Sequence, residues 1–130
     1  MMDVPIDGRG ALLRQVDGVP HVILGPPLLT VLAPLERLTG ASRRTLATIL
    51  VPFTAYGVAV LAGTQHLDAP LPRWLVPLAV AANTAAVVVG SVAVGRRDLR
   101  PLGRLAGGGL AAGGVRLLLA LRAPRPDGRG

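Results

Sequence analysis

From Trp74 to Gly95 the chain runs 22 residues, WLVPLAVAANTAAVVVGSVAVG, without one charged side chain. Only Asn83, Thr84 and Ser91 interrupt it as polar residues. At 1.5 Å per residue a helix of that length covers roughly 33 Å, enough to cross the hydrocarbon of a bilayer. A buried helix of a soluble domain rarely needs such a reach. The stretch therefore fixes a solvent, lipid, before it fixes a fold.

The rest of the chain agrees with that solvent. Of 130 residues, 51% are hydrophobic but only 2% are aromatic, so a water-soluble core would lack the large rings that usually supply buried area. Ala, Val, Leu and 17 Gly supply the apolar mass, as in membrane helices that pack by close backbone approach. The formal charge of +7 comes from arginines with no lysine. Nucleic acid is not expected as a partner, because those arginines sit between apolar runs and stacking aromatics are missing. Anionic lipid headgroups account for the same charge. The absence of cysteine excludes a disulfide framework and thiolate chemistry.

Four apolar segments are expected, an all-α multi-pass bundle in the cell membrane, with a bacterial inner membrane as the expected location. Residues 1–18 mix Asp3, Asp7, Arg9, Arg14 and Asp17 and read as a polar lead-in without a signal-peptide pattern. Residues 19–35 are apolar but carry Gly25-Pro26-Pro27, where the segment is expected to kink or break. Residues 36–45 form a loop in which Gly40 stops one helix and Ser42 caps the next. Spans follow at 46–63, bent by Pro52, at 74–95 with Trp74 as interfacial anchor, and at about 104–121, before the basic tail 122–130. The last span is the weakest. Arg116 within it costs about 2.5–3.5 kcal/mol at a bilayer centre. Its stem can snorkel toward the interface near Arg122, about 9 Å along the helix. The short 96–104 loop, with four arginines, is expected to be cytoplasmic. With four spans the arginines outside them divide seven against six, which sets no orientation; if the first segment does not cross they divide nine against four, with the N-terminus cytoplasmic.

Small residues recur at every fourth position. Ala55, Ala59 and Gly63 form one stripe, Ala82, Ala86 and Gly90 a second, and Gly103, Gly107 and Ala111 a third, with Gly109 and Gly113 beside it. Such spacing keeps them on one helix face, where backbones can approach. They are the expected packing positions, within one chain, between copies of it, or against another membrane protein.

Chemistry is sparsely encoded. Gly107 to Ala112, GGGLAA, matches the dinucleotide fingerprint only in letters, since no strand precedes it. His21 and His66 lack the spaced partners of a helix-borne metal site. Neither a cofactor, a metal nor an enzymatic activity is expected. One polar constellation stands out by depth from the 64–73 connection: Tyr56 about 10 Å, Asn83 about 13 Å and Arg116 about 9 Å. Asp17 and His21 enter from the same side if the first segment crosses. Buried polar groups in lipid must find partners, so these are expected to meet, as inter-helix glue or as a ligand site.

The broken first segment, the Asn near the middle of the third span and the LRPLGRLA run (residues 99–106) entering the fourth resemble small uncharacterised four-helix integral membrane proteins of GC-rich actinobacteria. The resemblance implies a four-helix membrane bundle. It implies no activity, because that family has none assigned to carry over.

Overall fold

The computed structural model describes residues 8–66 and 69–122, and among these every regular element is helical. Three helices are long and apolar enough to cross a membrane: α4 (Arg43–Gly63), α5 (Leu75–Gly95) and α6 (Pro101–Arg122). Before them, α1 (Arg9–Leu13), a π turn (Arg14–Gly18) and α2 (Val19–Thr30) run on as one rod. That rod is bent by 94° against α3 (Leu32–Thr39).

The first segment does not break where its Gly-Pro-Pro suggested. Pro26 and Pro27 lie inside α2 on its exposed side, and the break falls at Val31 (φ −121°, ψ 38°). Pro34 accounts for it. A proline inside a helix removes the bond to the carbonyl four residues back and its ring clashes with that carbonyl, here Thr30. The chain turns out of helical geometry at the next residue, and α3 starts afresh with Leu35 N–H donating to Val31 O at 3.1 Å. The polar lead-in also needs correcting. Residues 9–18 are helical and deliver Leu13, fully buried, and Asp17, four residues on and so on the same face, to the interior. Residues 1–7 and the tail beyond Arg122 lie outside the described residues.

The loop 36–45 shrinks to three residues. Gly40, at φ +79°, takes the left-handed conformation that ends α3, and the Ser42 hydroxyl accepts from Thr45 N–H to start α4. Arg43 pairs with Glu36 across this turn (3.2 Å). The turn between α5 and α6 is closed by Arg96 and Asp98, whose hydrogen-bonded ion pair holds the Asp98 carboxyl below the usual carboxylate range. Arg100 N–H donates to Thr39 O (2.9 Å), so the two turns lie side by side.

Two antiparallel pairs make the bundle. In the first, α2 lies along α4: a Cβ on Gly25 would stand 1.9 Å from Thr54 Oγ1, and one on Gly57 2.7 Å from His21 Cβ. In the second, α5 lies along α6: a Cβ on Gly90 would stand 2.3 Å from Gly107 O, and one on Gly114 2.7 Å from Asn83 O. The pairs join near the 64–74 connection, where Leu13, Tyr56, Val60, Leu75, Ala79, Leu117 and Leu121 form the core. Toward α3 they part, leaving an apolar crevice between α4 on one side and α5 and α6 on the other.

The small-residue stripes divide. Gly90, Gly103, Gly107 and Gly114 sit in close seams, Ala82 packs against the core, Ala86 touches the Gly114 seam and Gly63 faces Trp74 and Leu75. Ala59 is half-buried, whereas Ala55 is exposed. Gly109 and Gly113 lie outside the seam, with nothing within 4 Å of a Cβ. Fourfold spacing puts residues on one face but does not choose the face. α6 carries two glycine rows, and α5 uses the one ending in Gly114.

Candidate functional site

The polar side chains that meet inside the bundle come from three different rods. The π turn supplies Asp17, 3% exposed; α4 supplies Tyr56 and α5 supplies Asn83, at 8% and 6%. Tyr56 OH donates to Asp17 Oδ2 at 2.5 Å, and Asn83 Nδ2 donates to the same oxygen at 2.9 Å. Asn83 Nδ2 also reaches Tyr56 OH (3.4 Å) and the Ala79 carbonyl one turn back (2.8 Å). Two neutral donors thus converge on one carboxylate oxygen, and each bond ties a different helix to the first rod. Arg14 adds a third tie from that rod at the rim, donating from Nη1 to Thr64 O at 3.4 Å.

His21 stands one turn beyond Asp17 on the same face. Its ring stacks on Phe53, with centroids 3.9 Å apart and planes 20° from parallel, and meets Tyr56 edge-on at 5.5 Å. Its Nδ1 is buried and makes no standard hydrogen bond to any described residue. His21, Tyr56 and Asn83 together wall the inner end of a crevice of about 270 Å³, whose other walls include Pro52, Phe53 and Ala86.

Arg116, which depth alone groups with Tyr56 and Asn83, lies elsewhere. It is exposed on α6, and no hydrogen bond or ion pair joins it to any described residue. The residue beside it, Leu117, is the one turned into the core. Depth fixes height along the bundle axis but not angle around a helix, and a 100° step separates these neighbours. Asp17 takes the place in the cluster that arginine was expected to fill. Its signal was present in the sequence as an Asp and a His four residues apart, Asp17 and His21, at the mouth of an apolar run. Arg116→Leu is accordingly expected to change the stability of the folded bundle by no more than about 0.5 kcal/mol, as for an exposed position without partners. Thermal unfolding in detergent micelles checks this, and a loss above 1.5 kcal/mol would return Arg116 to the cluster.

No family model matches the chain, and neither a curated protein nor a solved structure matches it. Among the described residues no group of three or more His, Cys, Asp and Glu is placed to hold a metal ion. The Asp17–Tyr56–Asn83 cluster can cross-link helices, and through His21 it presents one polar wall to the crevice.

Proposed function

We propose that the chain is a multi-pass integral protein of a bacterial inner membrane with a non-enzymatic, accessory role, acting through lateral contacts and not through chemistry on a substrate. One observation carries the membrane reading. The three long helices have mean hydropathies of 1.3 to 1.9, yet only 17–22% of those windows is buried inside the protein. Leu105, Ile23 and Leu119 stand 72%, 62% and 61% exposed. Apolar faces of that size in water would be aggregation sites, whereas lipid covers them at no cost. The rod Arg9–Thr30 is read as a fourth crossing and α3 as a short helix at the interface, which would hold Glu36 and Arg37 among the headgroups. The resemblance to four-helix actinobacterial proteins fits this count.

Support for a non-enzymatic role is the saturation of the polar cluster. Tyr56 and Asn83 are spent on Asp17, which is how inter-helix glue is built. A permeation or transport subunit is the second reading, favoured by the buried His21 Nδ1 in the crevice wall. The two part on Asn83→Leu. Glue predicts a less stable protein, while a transport site predicts a stable one with altered proton flux in liposomes carrying a pH-sensitive dye.

The membrane reading is tested by an alkaline wash, which is expected to leave the protein in the pellet. Reporter fusions are expected to read cytoplasmic at residues 40–42 and 97–99, and external at residues 64–66 and at both ends. An N-terminal fusion that reads cytoplasmic would make the bent pair a re-entrant element and remove the fourth crossing.

A further inference from the structure

The crevice between the two helix pairs is one groove in two parts. The outer part, about 480 Å³, and the inner part, about 270 Å³, share Ile49, Val89 and Leu110. Its mouth is polar, with Ser42, Thr45, Arg96 and Asp98; its throat is apolar, with Leu46 and Val92 as well as the shared residues. From Ser42 to Tyr56 it follows α4 for fourteen residues, about 21 Å. That exceeds half of a hydrocarbon core of roughly 30 Å, so the groove spans at least one leaflet. A transmembrane helix, about 10 Å across, does not fit such a volume; a flexible chain does.

The charge around the mouth selects among chains. The 36–45 and 96–104 segments hold seven arginines against two acids, Glu36 and Asp98. Those two acids are taken by Arg43 and Arg96. Arg44 and Arg97 are exposed, with no hydrogen bond or ion pair from their side chains to any described residue.

We infer that the groove is a binding site for an anionic glycerophospholipid, with one acyl chain in the throat and its phosphate at the mouth, among Ser42 and the flanking arginines. This rests on the membrane reading above and adds a defined lipid partner to it. The Tyr56–Asn83–His21 wall sets the depth at which the chain must end.

The test uses the full chain in non-ionic detergent, with lipid retention read by native mass spectrometry after addition of phosphatidylglycerol or phosphatidylcholine of identical chains. Phosphatidylglycerol is expected to be retained in preference by about fivefold for each unpaired arginine that reaches it. Arg44→Gln with Arg97→Gln is expected to reduce it to the phosphatidylcholine level, without changing helix content. Val89→Trp, which fills the throat where the two parts meet, is expected to abolish retention of both lipids. Equal retention of the two lipids by the unsubstituted protein would overturn the inference, as would full retention by a folded Val89→Trp. Displacement by glycerol 3-phosphate at millimolar concentration would also overturn it, since a free phosphate would then be the ligand. A chain that stays monodisperse without detergent sinks the membrane reading itself; one that needs detergent but shows no lipid preference sinks the lipid site alone.

Discussion

Gly90→Ala is expected to destabilise the bundle by about 2 kcal/mol, while Gly109→Ala, on the same helix pair, stabilises it by about 0.5–1 kcal/mol. The two substitutions add the same methyl group and the same helix propensity. They differ in what the methyl meets. At position 90 it would stand 2.3 Å from Gly107 O, 2.7 Å from Ala111 N and 2.9 Å from Ala111 Cβ. Two of those atoms are backbone and cannot rotate away, so α5 and α6 must separate along their whole contact. Overpacking of this sort costs roughly 1–3 kcal/mol, and more where the obstacle is rigid. At position 109 nothing lies within 4 Å, and only the propensity gain of replacing glycine remains. Unfolding in detergent followed by circular dichroism measures both. Changes of the same sign at 90 and 109 would mean that the α5–α6 seam is not where the structure has it.

Asp17→Leu is expected to cost about 2–4 kcal/mol, and Asp17→Asn about 1. Leucine leaves Tyr56 OH without an acceptor and Asn83 Nδ2 with Ala79 O and the long contact to Tyr56 OH, whereas asparagine keeps an oxygen in place. Inter-helix hydrogen bonds in membranes are worth about 0.6–1.7 kcal/mol each, and leaving a buried donor unpaired adds about 1–3. The cluster behaves as a unit, so the single losses must not add. Combining Asp17→Leu with Tyr56→Phe and Asn83→Leu removes every stranded group and is expected to recover much of the loss. Stability of the three single variants and the triple variant gives the coupling directly. Strict additivity would mean that the three side chains are neighbours without being partners.

How much of this was legible beforehand depends on which distance carried the information. Helix type and extent followed from local composition: the uncharged run ending at Gly95 needs no neighbour to be apolar, and Ser42 and Gly40 mark helix ends through their own hydroxyl and φ. The break at Val31 was equally local but was masked by a louder signal, Gly25-Pro26-Pro27. Those prolines are carried within α2 while the helix gives way ahead of Pro34, and which proline the rod gives way to is a property of the packed molecule. The polar cluster was legible in height only. Tyr56 and Asn83 could be set at one level by counting along two helices, but whether Arg116 or Asp17 completes the group depends on rotation about a third and a fourth axis.

By itself, then, the sequence determined the apolar lengths that could cross a membrane, the all-helical class and the small residues that would let helices touch, since each depends on what one stretch of chain prefers. The tertiary structure alone decided which glycine row of α6 is spent on a seam, which charged residue enters the interior, and that two tight pairs part to leave a groove. Those are questions of angle around a helix axis. Angle is settled only when two surfaces with several candidate faces choose the one arrangement in which backbones approach without a Cβ between them.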